Sequence, residues 1–154
     1  MKNLWLIRHA ESEQNLTGSS KKNSKLSSRG KVQAAELRGP CELLILSPLR
    51  RSLETYSYSQ LEVGRLITSE FVREVIDSPG CEFDLETRDR YETKEEVSKR
   101  VTETVKLLRE QKETNITLLS HACFLRSLFV DQLKLSFEGY LANVQVVRFL
   151  GVEL

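Results

Sequence analysis

A three-layer αβα fold with a mostly parallel central sheet is what this sequence predicts, and three observations predict it. Apolar runs of strand length recur along the chain, amphipathic patterns of helix length lie between them, and the first runs are continuous rather than alternating. Continuous runs suit strands covered on both faces, and strands that alternate with helices form βαβ units. The 154 residues suit a single domain, 1–154, that buries roughly two thirds of its unfolded surface.

The first strand is "LWLI" at 4–7, ended by the charged pair Arg8-His9. "TGSSKKNSKLSS" at 17–28 reads as a surface loop, and a helix is expected over Gly30 to Arg38. "LLIL" at 43–46 is the second strand. Ser47-Pro48 then marks a helix start, with serine as N-cap and proline at the first helical position, where its missing N–H costs nothing. "RLIT" at 65–68 is a weaker strand candidate, and "DSPGCEFDLETRD" at 77–89 reads as a second surface loop.

The clearest helix runs from Lys94 to Gln111. Val97, Val101, Val105 and Leu108 form one apolar stripe, and Thr93 with Glu96 has the spacing of a capping box. "ITLL" at 116–119 is a further strand, a helix follows His121, and "VQVVRFL" at 144–150 is the last strand.

Composition narrows the function classes. Twenty-three basic against 22 acidic side chains leave no broad field to attract nucleic acid or an anionic membrane. No apolar stretch approaches the roughly 20 residues of a membrane span, and the run from Leu4 to Ile7 is too short for a signal peptide. A cytoplasmic location is the expectation. Cys41, Cys81 and Cys123 are odd in number and lack Cys-x-x-Cys spacing, which points to reduced, buried thiols rather than a disulfide framework or zinc site.

Ligands of open parallel sheets bind beyond the carboxyl ends of the strands. Arg8-His9 follows "LWLI", Ser120-His121 follows "ITLL", and Arg50-Arg51 lies in the first helical turn after "LLIL". Both histidines of the chain and three arginines therefore converge on one sheet edge. A lone histidine there is more often structural. Two, with arginine forks and helix N-termini around them, describe an anion site, and the adjacent arginines would repel a divalent metal.

These residues carry a resemblance. "RHAESEQN" is similar to the opening motif of the histidine phosphatase superfamily, Arg-His-Gly-x-Ser/Thr-x-x-Asn, with Arg8, His9, Ser12 and Asn15 in place and Ala10 where glycine is usual. "SPLRRSLET" resembles the second signature and selects Arg51 over Arg50. "SHACFLRSL" resembles the closing one and assigns His121, with Ala122 at another customary glycine. An alanine at either position matters only if the backbone there needs positive φ.

The resemblance implies a phosphoglycerate mutase-like fold and a phosphatase working through a phosphohistidine on His9. Arg8, Arg51 and His121 would hold the phosphoryl oxygens, with Asn15 as an uncharged donor. Glu74 in "FVREV" matches the family's proton donor; its plain alternative is a solvated glutamate paired with Arg73. The implied substrate is a phosphorylated small molecule or a phosphoprotein, with no cofactor and no metal.

Arg50 and Arg126 read as structural or rim cations and Lys21, Lys22 and Lys25 as a solvated cluster, while Glu92 and Arg100 lie in a family-like stretch, with decoration of a helix entrance and face as the plain alternative. A phosphatase built on cysteine needs arginine six positions after the nucleophile. Ser47, Thr87 and Phe129 occupy those positions, which excludes it. A phosphomutase using the same pocket and a non-catalytic phosphate-binding module are the alternative functions.

Overall fold

The computed structural model describes residues 1–17, 23–76 and 91–154. The strands are β1 (Lys2–Arg8), β2 (Arg38–Leu46), β3 (Gln60–Thr68), β4 (Asn115–Ser120) and β5 (Val146–Val152). The helices are α1 (Glu13–Thr17), α2 (Ser28–Ala35), α3 (Arg50–Tyr58), α4 (Lys94–Glu110) and α5 (Ala122–Arg126), the last running on into a wider π turn at Ser127–Gln132. The strands form one sheet in the order β3-β2-β4-β1-β5, parallel except for β5, which runs antiparallel to β1.

The continuous apolar runs are the three central strands. Leu4, Leu6, Leu43, Ile45, Ile116 and Leu118 turn to one face, where Val101, Val105 and Leu108 of α4 and Phe124, Leu125, Leu128 and Phe129 of the α5 segment cover them. Ile7, Leu44, Leu46 and Leu119 turn to the other face, against Leu37 and Tyr56 of α3. Each fully buried Leu, Val or Phe of these layers contributes roughly 1.5–3 kcal/mol relative to an exposed one. The two faces explain why alternation is absent from the central strands. It reappears in β3 and β5, the edge strands, whose successive residues differ in burial.

Several boundaries differ from the sequence expectation for identifiable reasons. β3 extends back to Gln60, but Glu62 and Gly64 interrupt its apolar pattern, so only its last four residues read as strand. α2 ends at Ala35 because the chain from Arg38 already pairs with β3. Ser47 is not the N-cap of α3: the helix starts at Arg50 with Leu49 as its N-cap, and Pro48 lies outside it. Thr93 does cap α4, accepting from the Glu96 N–H at 3.1 Å.

Part of the expected first surface loop is interior. Ser24, Leu26 and Ser27 are buried, and Leu26 packs with Ala10 and Ala34. Lys25 of that stretch is partly exposed and pairs with Glu13 at 3.6 Å. Lys21, Lys22, Cys81 and the whole of the second expected loop lie outside the described residues. Cys41 is buried as expected, whereas Cys123 is exposed. No helix of the described residues is long and apolar enough to cross a membrane.

Register is what brings the charged residues together. Arg8 lies opposite Ser120 and Leu46 opposite Leu119, so β1, β4 and β2 end flush. The ladder continues one step further, with His9 N–H donating to Ser120 O at 3.0 Å and Ser47 N–H to Leu119 O at 3.2 Å. His9, His121 and Ser47 thereby leave three neighbouring strands at one level.

Candidate functional site

His9 is 3% exposed, and its two ring nitrogens have different partners. Nδ1 lies 2.7 Å from the carbonyl oxygen of Ala10, which can only accept, so Nδ1 carries the proton. Nε2 is left with its lone pair and accepts from Arg51 Nε at 3.3 Å. Burial, then the Arg51 guanidinium, push the His9 pKa well below the usual imidazole value, against the smaller raising effect of the Ala10 carbonyl. The result is a neutral imidazole with one basic nitrogen facing an arginine.

His121 lies beside it, with ring centroids 5.1 Å apart. Its Nε2 is 2.8 Å from Ser47 Oγ and 3.4 Å from Ser52 Oγ. With these hydroxyls donating, the ring proton sits on Nδ1, which is buried with no hydrogen-bond partner among the described residues. Burial and the nearby Arg51 also hold this histidine neutral, its pKa well below the ordinary one. An unpartnered N–H inside a cluster of cations is a ready donor for an anionic oxygen.

Arg51 is brought in by the first turn of α3 and is 2% exposed. Arg8 ends β1, its Nη1 donating to Leu141 O at 3.0 Å while its buried Nε has no hydrogen-bond partner among the described residues. Burial lowers the Arg8 pKa and the nearby Glu74 carboxylate raises it in part, with the net direction downward.

Glu74 is half-buried and does not pair with Arg73, which instead approaches Glu70 at 3.7 Å and Glu92 at 4.0 Å. Its Oε1 accepts from the N–H groups of Val75 and Phe124, both at 2.9 Å, and its Oε2 from Cys123 N–H at 3.4 Å. Removal from water raises its pKa in spite of these bonds and of Arg51. A carboxyl held toward its protonated form beside a cationic pocket has the character of a proton donor.

Asn15 is placed differently. Its Oδ1 accepts from Ser12 N–H at 3.2 Å while Ser12 Oγ accepts from Asn15 N–H at 3.1 Å, a reciprocal cap on α1. Asn143 reaches the same oxygen at 3.4 Å and also donates to His9 O at 3.0 Å, so Asn15 touches the backbone around His9 through an intermediary. The rim cations are occupied as well. Arg50 pairs with Glu54 at 3.3 Å, and Arg126 lies over the Tyr140 ring at 5.3 Å.

Neither alanine beside the histidines is strained. Positive φ among non-glycine residues occurs at Asn23, Lys134 and Val144, not at Ala10 or Ala122. The Ala10 side chain instead fills space against Leu26 and Ala34, and its N–H donates to Thr55 Oγ1 at 2.9 Å. Ala122 opens α5 with its side chain mostly buried.

Sequence reading missed four contributors: Ser47, on His121; Thr55, on Ala10; and the pair Glu92 and Arg100. That pair is buried at 5% and 6% exposure rather than decorating a helix surface. Glu92 had one available signal, its place next to the Thr93 cap, since a chain entering a helix from the interior carries its preceding side chain inside. Among the described residues, no group of three or more His, Cys, Asp or Glu side chains is placed to share a metal ion.

The family model described as the histidine phosphatase superfamily, branch 1, matches residues 4–76, the segment with Arg8, His9, Arg51 and Glu74. That match covers just under half of the chain, which over these residues is similar to that superfamily. Solved structures extend the likeness over almost its whole length. The alpha-ribazole phosphatase from Shigella flexneri superposes with a TM-score of 0.72 at 20% identity, over 95% of this chain and 89% of that one.

The phosphoserine phosphatase from Entamoeba histolytica, solved with 3-phosphoglyceric acid, gives 0.68 at 21% identity over 97% and 91%. A mycobacterial glucosyl-3-phosphoglycerate phosphatase solved with VO3 gives 0.67 at 18% over 96% and 90%. At such identities the likeness establishes a shared fold. No curated protein matches the sequence.

Proposed function

We propose that the chain is a phosphatase, acting as one domain over 1–154, that hydrolyses a phosphomonoester or a phosphorylated side chain through a phosphohistidine on His9. The observation that carries this reading is the fixed tautomer of His9: Nδ1–H bound to Ala10 O and the Nε2 lone pair facing Arg51. Substrate phosphate takes the place of that lone pair's contact with Arg51, and the guanidinium turns to the phosphoryl oxygens.

Nε2 attacks phosphorus and the P–O bond to the leaving group breaks. The departing oxygen takes a proton from Glu74. Arg8, Arg51 and the Nδ1–H of His121 stabilise the charge on the non-bridging oxygens during transfer, the main source of rate in phosphoryl chemistry. The Glu74 carboxylate then takes a proton from water, the water oxygen attacks phosphorus, the P–N bond breaks, and inorganic phosphate leaves with His9 neutral again. The cations are supplied by side chains, so each step is served by groups of the chain itself.

The test is rapid quenching with a labelled aryl phosphate. Wild type should show acid-labile, alkali-stable label on His9, and His9→Ala should lose both label and turnover, by on the order of a thousandfold or more. Hydrolysis that persists in His9→Ala would overturn the reading.

A further inference from the structure

We propose that Arg100 is the positioning residue of this site, its guanidinium holding the backbone of residues 71–76 so that the Glu74 carboxyl is presented to the histidine pair. The proposal rests on Glu74 being the proton donor, as argued above.

Residues 73–76 follow a single 3-10 turn at Glu70–Val72 and belong to no helix or strand, yet Val75 and Ile76 are buried. The backbone polar groups of such a segment need partners from elsewhere. Arg100, on the buried face of α4, supplies them. Its Nη1 donates to Phe71 O at 3.0 Å and to Arg73 O at 2.6 Å, and its Nη2 to Glu74 O at 3.1 Å. The remaining donors go to Glu92, Nη2 to Oε1 at 2.8 Å and Nε to Oε2 at 3.2 Å. All five N–H donors of the guanidinium are thus used, a set that the three donors of lysine cannot reproduce.

Glu92 completes the clamp. It neutralises Arg100, accepts from Ile76 N–H at 3.2 Å, and donates its own N–H to Ile76 O at 2.5 Å. Ser120, the residue before His121, donates to Val72 O at 2.5 Å. The guanidinium also lies 5.0 Å from the centre of the Phe124 ring, and Phe124 N–H holds Glu74 Oε1. One cation therefore fixes both supports of the Glu74 side chain, its own backbone and the entrance of α5.

A positioning role separates from plain stabilisation by its dependence on the leaving group. A departing alkoxide needs a proton, whereas 4-nitrophenolate does not. Turnover of glycerol 2-phosphate and of 4-nitrophenyl phosphate is compared in wild type, Arg100→Lys, Glu74→Gln and the double variant, at a temperature where each is folded by circular dichroism.

The expected result is a tenfold or greater fall in the alkyl-to-aryl ratio for Arg100→Lys, matching Glu74→Gln, with no further fall in the double variant. Equal loss on both substrates in Arg100→Lys, beside a normal ratio effect of Glu74→Gln, overturns the positioning role alone. An unchanged ratio in Glu74→Gln overturns the proton-donor reading and the proposal with it. Should Arg100→Lys fail to fold, Glu92→Gln removes the charge that orients Nε and Nη2 and so loosens the guanidinium from the Glu74 carbonyl, and it must lower the same ratio; an unaltered ratio there overturns the proposal.

Discussion

The two nitrogens of His9 set the pH behaviour expected of the site. Attack requires the neutral ring, and burial with Arg51 lowers its pKa well below 6.5, so the acid limb of kcat/KM should lie far to the acid side of an ordinary histidine's. Proton donation requires protonated Glu74, whose pKa is raised above the usual carboxylate range by removal from water, so activity on an alkyl phosphate should fall as pH rises through that raised pKa. Glu74→Gln should remove this alkaline limb while leaving the acid one, measured as kcat/KM against pH for both variants. Arg8, His9 and His121 were legible in the sequence because each closely follows an apolar run, and Arg51 because its stretch resembles the second family signature. Ser47 and Arg100 were not: a serine before proline reads as a cap, and an arginine at a helical offset reads as solvated. Only the fold reveals that one points at a histidine and the other at three carbonyls.

Among the elements, α2 lies tightly against the loop that follows β1. Ser27 caps it, accepting from Gly30 N–H at 3.0 Å and donating to Glu11 Oε1 at 2.8 Å. A Cβ on Gly30 would stand 2.0 Å from the backbone oxygen of Glu11, two residues after His9. Gly30→Ala should therefore push α2 away from the loop that follows β1, destabilising the protein by about 1–3 kcal/mol, and should lower activity as well; urea unfolding and aryl phosphate turnover check the two effects. Element types were readable wherever an apolar period was unbroken, as in β1, β2, β4 and α4. Boundaries rather than types were lost at β3, where edge position admits Glu62 and Gly64 ahead of the 65–68 run, and at the start of α3, which opens at Arg50 while the Ser47 hydroxyl lies 2.8 Å from His121.

Over the whole molecule, two buried neutral histidines make stability depend on pH. In the unfolded chain both bind protons below about pH 6.5, whereas in the folded chain neither does until well below it, so stability rises with pH up to about 6.5 and is level above. Glu74, raised in the fold, works in the opposite sense, one proton against two. Below about pH 6.5 two histidine protons outweigh the one on Glu74, so stability should fall as pH falls toward 5, read from denaturant midpoints. His9→Ala should abolish roughly half of the histidine contribution. The pairing of β1 with β4 has a consequence of another kind. Asn3 lies opposite Asn115 and Arg8 opposite Ser120, so the ladder that sets the histidines side by side closes a loop of more than a hundred residues. Contacts of that separation form slowly, because chain entropy is lost before they repay it. A ribosome extending this chain releases His9 long before His121, and β5 completes the far side of β1 later still. The two histidines therefore stand side by side only after β4 has been made and has paired with β1, a delay built into strand order alone.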